Sequence, residues 1–402
     1  MAEAYIVDWL NLIGRWTHLV TGIAWIGASF YFVWLDNHLE PPKQQTDIER
    51  GVGGEVWSVH GGGFYHAQKF AGTPPFLPET LHWFKWEAYS TWLSGIFLLA
   101  LIYWYSAEIY LIDSSVAEIG KFPAILIGVA TLVIGWLVYD RLCKSPLGSD
   151  DRKLAIALFV FISIAAWVLC HIFSGRGAFV HFGAMLGTIM VGNVAEVIIP
   201  GQKELVAATR QNRTPDPKYG RNAKQRSVHN TYFTLPVLFV MVSNHYAMTY
   251  GHRYNWLILI ALSLAGALVR VYFVARHKGK ASLAPLLISA LLVLGVSAAI
   301  IPRPVEIMNT SNSPTDAEFS RIEFIIKERC ASCHATEPTQ AGFTAPPKGI
   351  VFDTVNDITN QAETIHQQSV VSKVMPIGNL TKMTEGERAL IDTWFRAGAR
   401  TE

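Results

Sequence analysis

The chain has 402 residues, of which 51% are apolar and only 16% charged, a charged fraction below the quarter usual in soluble proteins. That balance points to a membrane, and a net charge of +2 with no basic run interleaved with aromatics excludes nucleic acid as a partner. Cys330 and Cys333 sit together in a polar segment while Cys143 and Cys170 end apolar stretches far apart, so the cysteines form no disulfide framework. Residues 1–10 lack a Lys/Arg-rich start and a small-residue cleavage site, and the first apolar stretch is expected to stay in the protein as an anchor.

A bilayer core of about 30 Å takes roughly 20 mainly apolar residues per helix. Eight stretches fit: Leu10 to Leu35, Trp83 to Tyr105, Phe122 to Leu142, Leu154 to Phe173, Ala178 to Ile199, Thr231 to Tyr250, Tyr254 to Ala275 and Leu283 to Ile301. The first contains Arg15 and His18, and the sixth contains Pro236, Asn244 and His245; reading either as a buried helix changes the topology by one. Lys and Arg gather in alternate connections, as the positive-inside rule requires. Lys43, Arg50 and Lys69 follow span one, Arg141 to Lys153 join three and four, Lys203 to Arg226 join five and six, and Arg276, Lys278 and Lys280 join seven and eight. Both termini are therefore expected on the outer side.

The long inner loop, residues 36–82, holds Gly51 to Phe70. Its alternation around Val56, Trp57, Ser58, Val59 and His60, followed by three glycines, predicts a hairpin with close backbone approach. The Gly-x-x-x-x-Gly-Lys-Ser/Thr pattern of a phosphate loop is absent. His82, Trp83, Trp86 and Glu87, with Asn193, Glu196 and Arg270, fall on the same side and could line a pocket for a planar polar molecule; interfacial aromatic belts and inter-helix salt bridges explain the same residues without any ligand and come first for each of them taken singly. His60, His66 and Glu196 are the candidate catalytic proton acceptors, by location.

Ionisable groups inside spans are costly and tend to face the bundle interior. His18, His171, His181 and His245 all fall at similar depth on the outer side. Imidazoles from facing helices could ligate a non-covalent b-type haem iron, with His18 and His245 the favoured axial pair because they lie deepest; the plain alternative is hydrogen bonding between helices. Zinc or copper ranks below haem, since no carboxylate accompanies the four. Arg15 lies three residues before His18 on the same helical face, suited to a haem propionate or a substrate anion, or to snorkelling.

Residues 302–316, rich in Pro, Asn and Ser, read as a linker to a C-terminal domain, 317–402. There Cys330-Ala331-Ser332-Cys333-His334 fits covalent haem c attachment, with two thioether links and His334 as the proximal iron ligand. A redox dithiol is the competing reading. Met375, before Pro376, is the expected second ligand, with Met383 as competitor. Thr384 and Glu387 form a capping box opening a closing helix. Bacterial haem attachment of this kind takes place in the periplasm, the side to which the charge pattern assigns the C-terminus. The expected protein is thus all-α: an eight-helix transmembrane bundle, 1–301, in the bacterial inner membrane, with a small cytochrome c domain in the periplasm.

Arg15 to Phe32, Glu55 to Phe70, and Cys330 to His334 with Met375-Pro376-Ile377-Gly378-Asn379 together resemble the membrane-bound urate hydroxylase family of the PuuD type, over essentially the whole chain. The resemblance implies oxidation of urate to 5-hydroxyisourate in purine catabolism, with electrons leaving through haem c to a soluble cytochrome c or a terminal oxidase. Two other readings are a quinol-oxidising relay subunit with a tethered cytochrome, and a transporter fused to a redox sensor. The eight spans show none of the inverted symmetry that would favour the transporter.

Overall fold

A computed structural model describes residues 2–277, 282–301 and 316–401. The expected linker lies outside the described residues except for Asp316, and so do Lys278 and Lys280 of the last inner connection. The class is all-α apart from one antiparallel hairpin.

Helix α1 (Ala2–Asn37) runs the length of the bundle, and the hairpin, β1 (Val52–His60) and β2 (Gly63–Phe70), follows it. The hairpin register pairs Trp57 with His66 and His60 with Gly63, the tip being turned by Gly61 and Gly62 at positive φ. Helix α2 (Trp86–Leu98) then crosses back, continues as a π-helical turn over Leu99–Trp104, and gives way to the short α3 (Ala107–Tyr110). Where α1 crosses α2, a Cβ on Gly14 would lie 2.9 Å from Phe97 and Leu98, so the absent side chain sets the spacing.

Helix α4 spans Lys121–Lys144 and α5 spans Asp151–Cys170, the latter capped by Asp150, which accepts from the amides of Arg152 and Lys153. Helix α6 (Gly175–Asn193), capped by Ser174, passes through a π-helical turn at Val194–Ile198 into α7 (Ile199–Arg210). Helices α8 (Pro217–Ser243), α9 (Asn255–His277) and α10 (Ala284–Ala299) complete the bundle. Helix α8 corrects an expected boundary. It starts at Pro217, with Asp216 as its cap and proline in its first turn, and ends at Ser243 instead of reaching Tyr250. His245 therefore falls beyond the helix.

Helix α6 is the hub of the bundle. Phe179, Phe182, Met185, Leu186 and Ile189 are fully buried there against Tyr139, Leu154, Leu169 and Leu259 of neighbouring helices. The surrounding helices carry large apolar residues outward instead, such as Leu126, Val133 and Leu137 of α4, Phe159 and Ile164 of α5, and Leu287 and Leu291 of α10. An apolar outer surface around a packed interior suits lipid, with backbone polar groups satisfied inside each helix. Among the described residues, five helical stretches are long and apolar enough to cross a membrane: Tyr5–Asn37, Lys121–Lys144, Asp151–Cys170, Gly175–Arg210 and Asn255–Arg276. Helix α2 with its π turn, α8 and α10 occupy the places of the other three expected spans.

The C-terminal segment has its own core of Phe319, Ile322, Ile326, Phe352, Ile358, Ile365, Met383, Ile391 and Trp394. It is framed by α11 (Asp316–Arg329) and by α12 (Glu385–Arg396), whose capping box from Thr384 and Glu387 forms as the spacing predicts.

Candidate functional site

Cys330, Cys333, His334 and Met375 come from two separate stretches of chain onto the wall of one cavity. Phe343, Ile350, Phe352, Ile377 and Leu380 make the rest of the wall largely apolar. The Nδ1 atom of His334 lies 3.0 Å from the Ile350 carbonyl, which fixes the ring and leaves Nε2 as the nitrogen free for a ligand. Met375 is held through its backbone, its amide donating to Gln368 at 3.1 Å and its carbonyl accepting from Arg388 at 2.9 Å. Met383, the competing thioether, is buried in the domain core and does not line the cavity. Burial, with the neighbouring Cys333, pushes the Cys330 thiol up to about 12, the opposite of the lowered value that a redox dithiol needs. Two thiols, an imidazole and a thioether around an apolar slot match the donor set of a covalently held haem.

At the hairpin end of the bundle, a second, more open cavity lies between α2, α4 and α6. Trp86, Tyr89, Trp92 and Trp136 form its flat walls, Trp92 Nε1 donates to Thr188 at 3.1 Å, and Glu196, on the π turn after α6, stands exposed at the rim. Of the other residues expected to share such a pocket, His82 faces Glu87 at 3.4 Å, Asn193 belongs to a buried network, and the Arg270 guanidinium lies 3.9 Å over the ring of Phe30.

His66 lies on the hairpin with Nε2 2.8 Å from Glu55, and its ring stacks on Trp57 at 4.0 Å. Glu55 is buried and also accepts from the Lys43 amide, so the carboxylate that orients His66 is itself fixed. His60 is exposed at the hairpin tip. Among the described residues no hydrogen bond or ion pair joins His60, His66 and Glu196; the three occupy separate places.

Among the described residues, the four outer histidines each have their own surroundings, and no hydrogen bond joins two of them. His18 places Nδ1 3.0 Å from the Thr91 carbonyl and 3.1 Å from Ser94, joining α1 to α2. His171 is exposed and bonded to the Trp167 carbonyl, and His245 is exposed beyond α8. His181 is fully buried between Trp104 and Gly177. None of them is among the residues that line the two cavities. Among the described residues no group of three or more His, Cys, Asp or Glu is arranged to hold a metal ion. Arg15 is exposed and donates to Asn11 on its own helix at 2.6 Å.

One constellation is absent from the sequence reading. Arg226 of α8 is buried, donating to Asp140 of α4 at 2.9 Å and to Asn193 of α6 at 3.3 Å. Asn193 in turn donates to Tyr139 and Asn230, and Tyr139 meets His229 at 2.8 Å. Asp140 closes an apolar run and Arg226 lies in a basic stretch, so each reads as an inner-surface charge until the early start of α8 places them side by side.

The outward apolar surface, the buried polar joints and the aromatic cavity define a helical membrane protein with an attached cavity-bearing domain. The chain belongs to the Urate oxidase N-terminal family, whose model matches residues 4–301. Membership makes this part of the chain a urate oxidase-type oxidoreductase domain. No curated protein and no solved structure matches the chain.

Proposed function

We propose that the protein oxidises urate to 5-hydroxyisourate in its membrane domain and delivers the electrons to a c-type haem held by the C-terminal cavity, from which a soluble cytochrome c or terminal oxidase removes them. The reaction adds water to urate and releases two electrons and two protons. The observation that carries this reading is the convergence of Cys330, Cys333, His334 and Met375 on one apolar cavity in a chain whose remainder belongs to the urate oxidase family.

The fit sets a division of labour. Cys330 and Cys333 would bond the porphyrin edge, His334 would ligate through Nε2 because Ile350 holds Nδ1, and Met375 would close the opposite side. A haem so bound supplies a one-electron centre of raised potential, suited to accept electrons. Phe343, Ile350 and Phe352 exclude water from it. In the membrane domain we assign the urate ring to the aromatic cavity, stacked by Trp86, Trp92 and Trp136, with Glu196 taking a ring N–H proton.

A second reading has a specific observation behind it. The groove opens between Trp86 and Leu93, which are 66% and 57% exposed on the outer surface of the bundle, and that suits the ring of a lipid-borne quinol. Anaerobic addition of each reductant to oxidised protein separates the two. Urate should reduce the c-type absorbance, and Glu196→Gln should slow that reduction on the order of a hundredfold, the scale of a general base. Reduction by a quinol but not by urate would establish the second reading instead.

A further inference from the structure

The wall of the C-terminal cavity is not built by its own domain alone. Ile109 of α3, on the outer connection after α2, lines it beside Cys330 and Met375. The two parts meet at glycines: a Cβ on Gly378 would lie 2.5 Å from the Ile112 carbonyl, and one on Gly251 would lie 2.4 Å from Val374. Neither approach tolerates a side chain, so the cavity is seated hard against the end of the bundle.

From that wall a series of rings runs inward. Tyr110, adjoining Ile109, has its centroid 6.3 Å from that of Tyr103, and Tyr103 is 6.1 Å from His181. Trp104 donates to His181 at 3.1 Å. Each ring is held by a further contact. The Tyr103 hydroxyl donates to Asn244 at 3.1 Å, Arg176 donates to the same oxygen at 3.2 Å while lying over Tyr110, and His181 is fixed by the Gly177 carbonyl. The same helix α6 that carries His181 carries Thr188, the partner of Trp92 in the aromatic groove. Seven residues along a helix is about 10 Å.

We propose that Tyr110, Tyr103, Trp104 and His181 are the path by which electrons pass from the groove to the C-terminal cavity, an inference that rests on the urate reading above. Electrons tunnel better through packed rings than across gaps between saturated side chains, and this column carries rings from the C-terminal cavity as far as His181, leaving about 10 Å of α6 between it and Thr188 at the groove. The electrons leave urate as water adds and its two protons depart. Each would then cross singly to the one-electron centre in the C-terminal cavity, the second after the first has passed on to an acceptor or to a second molecule, and the rings gain and lose no atoms.

The test uses full-length, haem-loaded protein in anaerobic stopped flow, following c-type absorbance after mixing with urate. Tyr103→Leu and Trp104→Leu should slow internal reduction about tenfold or more, while Tyr103→Phe, which keeps the ring, should restore most of the rate. Trp167→Leu, which removes an exposed ring off the path, should leave it unchanged. Urate binding measured by equilibrium dialysis, the haem midpoint potential, and reduction of the haem by ascorbate should be the same in all variants, which separates a lost path from a damaged site or a misfolded chain. Unchanged internal rates in both leucine variants would overturn the path while leaving the urate reading intact. Failure of urate to reduce the unsubstituted protein would overturn both. Should Tyr103→Leu not fold, Trp104→Leu set against Trp104→Phe decides the matter by the same criteria.

Discussion

Trp104 donates its indole N–H to Nε2 of His181 across 3.1 Å, from the end of the α2 strut to the start of the central helix. An indole can only donate, so Nε2 must be the acceptor, and Nδ1 carries the proton that it gives to the Gly177 carbonyl at 2.8 Å. Both nitrogens of this fully buried ring are engaged, which accounts for a histidine in the apolar core without a metal. Gly128 makes the room: a Cβ there would lie 2.8 Å from Nε2. Trp104→Phe should strand that acceptor and destabilise the protein by about 1–3 kcal/mol, read as a lower unfolding midpoint in detergent. Gly128→Ala should be at least as damaging.

The buried Arg226 and Asp140 pair ties α8 to α4. Arg226→Ala leaves a carboxylate largely buried among helices, and the expected loss is about 3–5 kcal/mol. Lys144 also reaches Asp140, at 2.6 Å, but is largely exposed, and Lys144→Ala should cost below about 1 kcal/mol. Chemical unfolding of both variants in the same detergent checks the contrast; equal losses would mean that burial does not govern the pair.

Ligand choice in the C-terminal cavity follows from which methionine faces it. With haem held there as proposed, Met375→Leu should lower its midpoint potential, because a thioether ligand would raise it. Met383→Leu is a volume-conserving change in the domain core and should cost less than about 1.5 kcal/mol with the potential unchanged. A spectroelectrochemical titration of the two variants decides it.

The helices of that domain should weaken in acid. The Thr354 hydroxyl and amide hydrogen-bond Asp357 and hold its carboxyl below the usual range. For Glu387, burial pushes upward, but hydrogen bonds from Arg329 and Thr384 outweigh it and the carboxyl ends low. A depressed folded-state value contributes stability that is present above the unfolded value, near 4, and is lost as pH falls through the folded one. The urea midpoint followed by helical circular dichroism should therefore hold steady above about pH 5 and drop below about pH 4. Glu387→Gln should lower the midpoint at neutral pH and flatten the acid slope.

How far the sequence was legible depended on whether a residue's role lay in its own neighbourhood. The hairpin was readable because the alternation of β1 and the glycines at its tip are local. The capping box at Thr384 and the grouping of Cys330, Cys333 and His334 were readable for the same reason, and Met375, beside Pro376, lines the same cavity. The separation of the candidate proton acceptors was not readable: His66 finds Glu55 only once β1 and β2 pair in register, and Glu196 stands by a groove on another face. The Arg226 network was hidden because hydropathy draws α8 from its apolar half alone, while cap chemistry at Asp216 starts it fourteen residues before Thr231. The same shift moved His245 out of the helix. Depth along a span predicted which histidines lie near one another in height, yet only packing decides which of them face inward, and His181 alone of the four is fully buried.

An anaerobic titration of oxidised, haem-loaded protein with urate decides whether urate oxidation in the membrane domain empties its electrons into the C-terminal cavity. The c-type absorbance should rise with two haems reduced for each urate converted to 5-hydroxyisourate, and Cys330→Ser with Cys333→Ser should abolish the optical change. Urate loss without haem reduction, or no reaction until oxygen is admitted, would contradict it.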